Sequence, residues 1–393
     1  MNGGPGTVVV VGASLAGHAT ARALRGAGFD GTIRMIGEEP HRPYDRPPLS
    51  KGYLRGTVTD ADLSLEGVDE DLGADWILGT RATALDPATH TVSLADGTHV
   101  RGDAVVVATG SLARRLPTDL MGVHTLRTLD DARALRADLL PGARVCVVGA
   151  GFVGAEVAST AAALGLDVTV VEAAPAPLAG PLGPLGPVVA SLHARNGVTL
   201  RCGVPVERLE GAATGSGRRV TGVRLVDGSR VDADVVGVGI GAPAATDWLA
   251  GSGLDLQNGL ACDARGATAA PGVVGVGDCS AWFDPVRGRH HRVEHWAESR
   301  DRARIAVDTL LGTSTAPPAP APSFWSDQYG VRLQFAGRLL GHETVTVEAG
   351  DPESADALVV YWRGDDAVAV LGMGQPRLFN RWKRSLSALP VAA

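Results

Sequence analysis

The chain has 393 residues, of which 45% are hydrophobic and 20% are charged. This composition is ordinary for a globular protein and unlike that of a disordered one, and the length predicts two to three domains. The formal net charge of −7 gives no reason to expect nucleic acid binding, because such domains carry an excess of Lys and Arg. No apolar run approaches the ~18 residues of a membrane span. The sequence therefore predicts a soluble, cytoplasmic protein without a nucleic acid or membrane partner.

The first predicted element is the strand Thr7–Val11, whose apolar residues suit a parallel sheet covered on both faces. Because this strand ends at Gly12 and no basic region precedes it, we do not interpret it as a signal peptide. A glycine-containing turn follows, then the helix His18–Gly28 and the strand Thr32–Ile36. This order is typical of a dinucleotide-binding unit, in which glycines permit a tight turn and the helix N-terminus binds a pyrophosphate.

This first unit has its own set of expected ligand contacts. Gly12 permits the turn, and Gly17 allows the helix to pack close to the strand. Glu38 or Glu39, just after the second strand, is expected to accept a ribose hydroxyl. The predicted contacts are Gly12, Ser14, Ala16, Gly17, Glu38 and Glu39.

The same pattern returns later in the chain, now with glycine at all three motif positions. The strand Arg144–Val148 leads into the turn, and the helix Ala155–Leu164 and the strand Asp167–Val171 follow. Glu172 then lies near the expected spacing of about 20 residues. A carboxylate there accepts the 2′-OH of NAD and repels the 2′-phosphate of NADP, so we expect NADH rather than NADPH. The predicted contacts are Gly149, Gly151, Phe152, Val153, Gly154, Glu172 and Gly241.

Two dinucleotide sites in one chain suggest one cofactor that stays bound and one that exchanges. Another buried strand leads to Thr109 and Gly110, and the strand Val273–Gly277 ends at Asp278. An Asp at the carboxyl end of such a strand can bond a ribityl hydroxyl of a flavin, although an N-cap role is the alternative interpretation. The first site is therefore expected to hold FAD.

Two further segments carry a resemblance to a known family: Pro40–Lys51 (PHRPYDRPPLSK) and Phe324–Gln328 (FWSDQ). Together with the glycine turns, they make the chain resemble the FAD-dependent pyridine nucleotide-disulfide reductase superfamily. Within it, the chain is similar to the putidaredoxin reductase-like branch of ferredoxin reductases, which serves cytochromes P450 and ring-hydroxylating dioxygenases. The resemblance implies an α/β fold with two Rossmann-like dinucleotide-binding domains, as in glutathione reductase, plus a small C-terminal α+β domain.

The expected domain plan is discontinuous. The FAD-binding domain comprises residues 1–112 and 243–322, the NAD-binding domain residues 113–242, and the C-terminal reductase domain residues 323–393. Thr313–Pro322 has the composition of a Pro/Ala-rich linker. The predicted elements after it are the strands Val331–Ala336, Thr344–Glu348, Ala357–Trp362 and Ala367–Met373, and a closing helix.

The resemblance also assigns residues to the chemistry. Arg46 and Lys51 match residues that contact FAD, and Lys51 would lie beside the flavin, where a fixed cation stabilises the anionic reduced form. Glu156 matches a glutamate that pairs with that lysine and approaches the nicotinamide. Trp325 would approach the flavin ring. Lys51, Glu156 and Trp325 are thus the predicted catalytic residues.

Further FAD contacts follow from the same resemblance. The backbone of Ala82 would bind the adenine end, and Arg127 would touch FAD at the start of the NAD domain. The helix running to about Leu311 would direct its N-terminus at the flavin edge where negative charge gathers. Its opening residues are Glu294, His295 and Trp296. The segment Pro177–Pro187 departs from the family because it lacks an arginine common after this nucleotide-binding strand.

The cysteines bear on how electrons leave the flavin. Cys146, Cys202, Cys262 and Cys279 lie far apart, and residues 40–55 contain no cysteine. The superfamily's disulfide reductases need a C-x4-C pair, and its peroxidases and oxidases need a single cysteine, so a thiol relay is excluded. No metal-ligand cluster is apparent in the sequence. The expected reaction is hydride transfer from NADH to FAD, then single-electron transfer to an external iron–sulfur ferredoxin.

Alternatives within the same chemistry are a rubredoxin reductase or an NADH oxidase. An alternative of another class is a flavoprotein resembling apoptosis-inducing factor. Because small ferredoxins are acidic, a basic docking patch is expected, although solvated surface faces explain such residues equally well. The candidate segments are Arg287–Arg292, Arg300–Arg304 and Arg377–Arg384. The chain is expected to be a monomer or a homodimer.

Overall fold

A computed structural model describes residues 5–313 and 321–387. The strands, in chain order, are β1 (Thr7–Val11), β2 (Thr32–Gly37), β3 (Ala74–Leu78), β4 (Ala82–Asp86), β5 (Thr91–Leu94), β6 (His99–Arg101), β7 (Ala104–Val107), β8 (Val123–Thr125), β9 (Arg144–Val148), β10 (Asp167–Glu172), β11 (Thr199–Cys202), β12 (Val206–Thr214), β13 (Gly217–Leu225), β14 (Arg230–Asp232), β15 (Val235–Val238), β16 (Leu260–Cys262), β17 (Val273–Gly275), β18 (Ser280–Asp284), β19 (Arg289–Arg292), β20 (Ser323–Gln328), β21 (Val331–Gly337), β22 (Thr344–Asp351), β23 (Asp356–Arg363) and β24 (Asp366–Met373).

The helices are α1 (Leu15–Gly26), α2 (Gly52–Arg55), α3 (Leu129–Asp138), α4 (Phe152–Ala163), α5 (Ala179–Leu182), α6 (Gly186–Arg195), α7 (Trp296–Leu311) and α8 (Pro376–Ser387). Short 3-10 turns lie at Pro47–Ser50, Ala61–Leu63, Gly183–Leu185, Asp247–Leu249, Gly277–Cys279 and Pro352–Ser354. Within the described residues, no helix has both the length and the apolar character needed to cross a membrane.

The first nucleotide-binding sheet has five parallel strands in the order β17-β7-β1-β2-β3. Its central strand β1 is fully buried from Val8 onward, as expected when helices cover both faces. Helix α7 packs against α1 on this sheet. The chain leaves the sheet after β7 and returns to it at β17, so the first unit is built from two separated segments.

The second nucleotide-binding sheet is also parallel, with the order β11-β10-β9-β15-β8. All its strands lie between residues 123 and 238, within the part of the chain that separates β7 from β17. In both sheets the glycine turn follows the central strand at its carboxyl end. Parallel sheets bind ligands at this edge, so both predicted sites lie where the fold supports them.

The C-terminal sheet is antiparallel, with the order β20-β21-β24-β23-β22. Helix α8 covers one face through Phe379 and Leu386. Segment 178–192 of the second nucleotide-binding unit covers the other face and forms one hydrophobic cluster with β21, β23 and β24. Within that cluster, the hydroxyl of Tyr361 donates to the Leu182 carbonyl at 2.8 Å. The C-terminal sheet therefore shares a core with the unit around β9.

The predicted α/β fold with a small C-terminal domain is confirmed. The strand Thr7–Val11 is confirmed residue for residue, whereas α1 begins three positions before the predicted His18. The strand β20, which carries Trp325, was not predicted. The domain boundaries at residues 112, 242 and 322 stay predictions. Residues 314–320, most of the predicted linker, lie outside the described residues.

Candidate active site

One cavity of about 1410 Å³ opens between the two parallel sheets and the C-terminal sheet. It exceeds the ~300–1,000 Å³ of a pocket for a drug-sized ligand, and is large enough for extended dinucleotides. The cavity is lined at the start of α1, α4 and α7. None of these helices has a side-chain cap, whereas Thr128 and Asp131 form a capping box on α3. Uncapped helix N-termini present free N–H groups and positive dipole ends to anionic ligands.

The two glycine turns have the backbone geometry that a pyrophosphate requires. Gly12 has φ +117° and Gly149 has φ +100°, a region that residues with a Cβ rarely adopt. An added Cβ would collide with the Ala108 carbonyl oxygen at Gly12 and with the Gly239 carbonyl oxygen at Gly149. At Gly151 the same atom would meet nothing within 4 Å. Both turns thus fit a dinucleotide phosphate approaching the backbone.

The structure separates the two candidate ribose-binding acids by their contacts. Both carboxylate oxygens of Glu39 accept hydrogen bonds from other side chains of the protein. One accepts from the Tyr44 hydroxyl at 2.5 Å and the other from Arg46 at 2.6 Å. Glu38 is exposed at the end of β2 and also lines the cavity. Arg46 additionally donates to Ser14 Oγ at 3.2 Å. The geometry leaves Glu38 available to a ligand and uses Glu39 to position Arg46.

Asp278 and Arg127 meet in the cavity wall although 151 positions separate them in the chain. Arg127 Nη2 lies 3.0 Å from Asp278 Oδ2, and the Ser111 hydroxyl donates to the same oxygen at 3.2 Å. Thr109 and Gly110 line the neighbouring wall, and Ala82 lines it at the start of β4. The predicted FAD residues Gly12, Ser14, Ala16, Glu38, Glu39, Arg46, Lys51, Ala82, Thr109, Gly110, Arg127, Asp278, Glu294, His295 and Trp296 all line one cavity; Gly17 packs behind it.

Lys51 and Glu156 form an ion pair in this cavity, with Nζ 2.6 Å from Oε2; Lys51 is half-buried and Glu156 is buried. Lys51 Nζ also donates to the Pro47 carbonyl at 3.0 Å. The Ser50 hydroxyl donates to the same Glu156 oxygen at 2.5 Å, and the Ser326 hydroxyl donates to Oε1 at 2.7 Å. Glu156 is only 6% exposed, so these donors replace the water that a buried carboxylate would otherwise require.

An aromatic pair lies beside the ion pair. The rings of Trp296 and Trp325 are 6.0 Å apart in an edge-to-face arrangement, and both line the cavity. Trp296 Nε1 donates to Asp45 at 2.8 Å, and burial raises the pKa of that carboxyl. Burial lowers the pKa of His295 to about 4, so this residue is neutral at pH 7. His295 therefore carries no charge at the N-terminus of α7 at neutral pH.

The second predicted site lies at the carboxyl edge of the second sheet. Glu172 accepts from the backbone N–H groups of Ala150 and Ala174, each at 2.8 Å. Phe152, Val153 and Glu156 line the cavity, whereas Gly149, Gly151, Gly154, Glu172 and Gly241 lie outside its lining. Gly241 has φ +100° and accepts from Arg114 N at 3.0 Å. The start of α4 therefore connects this turn to the cavity.

All four cysteines are free thiols. Burial raises the pKa of Cys146 to about 12 and raises the pKa of Cys202, Cys262 and Cys279 as well. A thiol with a raised pKa is a poor nucleophile at neutral pH. Across residues 5–313 and 321–387, no group of three His, Cys, Asp or Glu side chains could hold a metal ion.

Several contacts in the site were not anticipated from the sequence. Tyr44 joins Glu39, Arg46 and the Leu129 backbone N–H through its hydroxyl. Ser50 and Ser326 complete the Glu156 site, and Ser111 contacts Asp278. Tyr44 and Ser50 lie inside the quoted segment Pro40–Lys51, and Ser326 lies inside Phe324–Gln328. The resemblance carried by those two segments could therefore have indicated Tyr44, Ser50 and Ser326, but not Ser111.

Comparisons with known proteins agree with this geometry. The family described as pyridine nucleotide-disulphide oxidoreductase matches residues 6–303, and the reductase C-terminal family matches residues 323–389. The chain belongs to the pyridine nucleotide-disulphide oxidoreductase family. Its class is that of FAD-dependent NAD(P)H oxidoreductases, with FAD and NAD(H) as cofactors.

Several proteins that are similar to this chain are named as ferredoxin reductases. The chain is 38% identical to the biphenyl dioxygenase system ferredoxin–NAD(+) reductase component of Paraburkholderia xenovorans (strain LB400), over 90% of this chain and 86% of that protein. It is 35% identical to putidaredoxin reductase of Pseudomonas putida, over 98% and 92%. The crystal structure of the covalent putidaredoxin reductase–putidaredoxin complex matches with a TM-score of 0.91 at 33% identity, over 97% of this chain and 93% of that chain.

Proposed function

We propose that this protein is an NADH-dependent ferredoxin reductase that delivers electrons to an iron–sulfur ferredoxin serving a cytochrome P450 or a ring-hydroxylating dioxygenase. The observation that carries the proposal is the cavity of about 1410 Å³, because the starts of α1 and α4 both line it. The start of α4 connects the second glycine turn to the space that the first turn lines, so this cavity can bring a nicotinamide and a flavin together. The names of the relatives and the solved complex of putidaredoxin reductase with putidaredoxin support the choice of acceptor.

Each residue of the site would have its own role in the reaction. Bound FAD supplies a hydride acceptor that can release electrons one at a time. Lys51 would hold positive charge beside it, and Glu156 would fix the Lys51 ammonium and orient the nicotinamide amide. The N-terminus of α7 would add a positive dipole end. Trp325 would cover the ring and exclude water. Glu38 would bind the ribose hydroxyl, and Asp278 with Arg127 would bind the ribityl chain.

The preference for NADH rests on Glu172. Its two oxygens are held by backbone N–H groups, so the carboxylate is fixed at the end of β10. A fixed negative charge repels a 2′-phosphate and still accepts from a 2′-hydroxyl. The following residues, Ala173, Ala174, Pro175 and Ala176, offer no cation for a phosphate.

The function is tested by anaerobic stopped-flow measurement on the FAD-loaded protein. We expect NADH to bleach the flavin absorbance faster than NADPH does, and a [2Fe–2S] ferredoxin to restore it. Rubredoxin and dioxygen are the parallel acceptors, and faster recovery with either would identify a rubredoxin reductase or an NADH oxidase. A persistent charge-transfer band with no recovery by any acceptor would instead favour the flavoprotein resembling apoptosis-inducing factor.

The ferredoxin would dock on basic residues near the aromatic pair. The guanidinium of Arg300 lies 5.1 Å from the Trp296 ring, and Arg300 and Arg304 are exposed one helical turn apart on α7. Other candidates are less suitable: Arg302 is buried with Glu298, and Arg292 is half-buried beside Glu294. Arg377, Arg381 and Arg384 form a second exposed row on α8. We therefore place the docking patch at Arg300 and Arg304, because both are exposed and Arg300 lies against the Trp296 ring.

We expect ferredoxin reduction to slow about tenfold as ionic strength rises from about 0.05 to about 0.5 M, because salt screens attraction to an acidic partner. The double variant Arg300→Gln/Arg304→Gln should flatten this dependence. The triple variant Arg377→Gln/Arg381→Gln/Arg384→Gln is the matched comparison on α8 and should retain it. Flavin reduction by NADH, measured in the same samples, controls for damage to the site. Equal salt slopes for the double variant and the unmodified protein would contradict this placement.

A further inference from the structure

The carboxylate of Glu156 is held from two directions by different parts of the chain. Lys51 and Ser50, from the first unit, contact Oε2. Ser326, from β20 of the C-terminal sheet, donates to Oε1 at 2.7 Å. Glu156 itself lies on α4 of the second unit. One buried acid therefore joins three parts of the protein, and only one of its two oxygens faces the lysine.

The direction of the Ser326 hydrogen bond is set by its neighbour. Gln328 Nε2 donates to Ser326 Oγ at 3.1 Å, and an amide nitrogen cannot accept. The single hydroxyl proton of Ser326 is therefore left for Glu156. Ser326 is 0% exposed and Gln328 is 1% exposed, so water does not compete for either group. The order Gln328 to Ser326 to Glu156 is a directed chain of two hydrogen bonds.

The same strand end is anchored on α4 at a second point. Tyr329 N donates to Ser159 Oγ at 2.7 Å, three positions along α4 from Glu156 and so on the same face. The Tyr329 hydroxyl lies 2.7 Å from His193 Nδ1 on α6. These contacts fix the end of β20 against α4, so Ser326 is held in register with the Glu156 carboxylate.

We infer that Ser326 and Gln328 are positioning residues, which stabilise the Glu156 carboxylate and keep it aligned with Lys51 during hydride transfer. This inference rests on the proposed function. Hydrogen bonds to the charged form of a carboxylate lower its pKa. Without the Ser326 hydroxyl, Oε1 would be buried with no donor, so the charged carboxylate would lose stabilisation and would hold Lys51 less firmly. The C-terminal sheet would then act on the reaction through one hydroxyl group.

The remaining ionisable groups packed around α4 do not obscure this effect. Burial lowers the pKa of His193 and His295 to about 4, and raises that of Tyr329. On the strands next to α4, Asp327 is paired with Arg332, Arg144 with Asp234, and Glu172 is bonded by backbone N–H groups. Asp167 is exposed at the far end of β10, Arg195 ends α6 beside Glu353, and the Cys146 pKa is raised to about 12. Asp45, whose pKa burial also raises, is bonded to Trp296 and is unchanged in the Ser326 and Ser323 variants, so a difference between their pH profiles reports on the Ser326 hydroxyl.

The test is the pH dependence of the FAD-loaded protein with Ser326→Ala. We expect the inflection in the limiting rate of flavin reduction to lie at least about one pH unit above that of the unmodified protein, because one hydrogen bond to a charged group is worth about tenfold or more. The limiting rate at neutral pH should fall about tenfold, with NADH affinity changed less than about threefold. The pH dependence of the flavin midpoint potential, recorded without NADH, should show the same displaced inflection.

Ser323→Ala is the matched control, because Ser323 lies on the same strand and its hydroxyl accepts from Lys383 instead. It should reproduce the unmodified pH profile. Gln328→Met keeps the Ser326 hydroxyl but removes the amide that donates to it. This variant should displace the inflection in the same direction by a smaller amount. If Ser326→Ala does not retain FAD, the result for Gln328→Met tests the inference instead. Identical profiles for Ser326→Ala and Ser323→Ala would overturn the inference. Failure of NADH to reduce the unmodified protein would instead refute the proposed function, and the potential measurement would still test Ser326.

Discussion

Replacement of Lys51 by Met is expected to slow flavin reduction by NADH about 100-fold or more, because it removes a preorganised charge from a water-poor site. Met keeps most of the side-chain volume, so the change is mainly electrostatic. Glu156 is buried, and loss of Lys51 leaves its charge without its ion-pair partner. Anaerobic stopped-flow measurement of the flavin absorbance gives the rate, and the visible spectrum gives the FAD content.

Arg55→Met is the matched control for Lys51→Met. Arg55 lies four positions further along, at the end of α2, and is exposed. Its replacement removes a cation from the same segment without touching the cavity, so the rate should stay within about twofold, as for most surface changes. A Lys51→Met protein that binds FAD and is reduced at the unmodified rate would refute the role assigned to Lys51.

Gly12→Ala is expected to yield protein that contains less than about a tenth of the normal FAD and unfolds at least about 5 °C lower. The reason is steric. The new methyl group would collide with the Ala108 carbonyl oxygen, and φ at this position is +117°. Relief of the collision would move β1 away from the turn after β7, and both line the cavity. FAD content from the absorbance spectrum and a thermal melt monitored by circular dichroism measure the two effects.

The control for this substitution is Gly26→Ala at the end of α1. A Cβ at Gly26 meets no atom within 4 Å, and Ala favours a helix over Gly by about 0.5–1 kcal/mol. The Gly26→Ala protein should therefore keep its FAD and melt at the same or a slightly higher temperature. If Gly12→Ala behaves like Gly26→Ala, the steric account of the first turn is wrong.

The parts of the fold that could be predicted are those whose signal is local. The strand Thr7–Val11 and the turn at Gly12 depend on neighbours within a few positions, and the structure has the strand at those bounds. Helix α1 begins earlier than predicted because it starts directly after the turn, with Ser14 as N-cap. The strand β20 was missed because its buried residues, Ser323, Ser326 and Gln328, are polar, so the sequence lacks the alternation of apolar and polar residues that marks a strand.

The parts of the site that could not be predicted depend on distant contacts. Ser50 and Ser326 reach Glu156 across 106 and 170 positions, and no spacing rule connects hydroxyl groups over such separations. Arg302 is a second case. It belongs to a segment expected to form a basic surface patch, but it is buried beside Glu298 with its guanidinium 4.9 Å from the Trp282 ring. A charged residue is usually exposed unless it is paired, and the pairing is visible only in three dimensions.

The shared core between segment 178–192 and the C-terminal sheet restricts how this enzyme can change over evolutionary time. Leu182, Leu185 and Val189 belong to one hydrophobic cluster with Leu333 and Phe335, so a substitution on one side requires a compensating one on the other. The C-terminal sheet cannot be exchanged between relatives by itself, because segment 178–192 of the recipient would not match the face of the new sheet on which it packs. A functional chimera would have to inherit residues 178–192 and the sheet from the same parent.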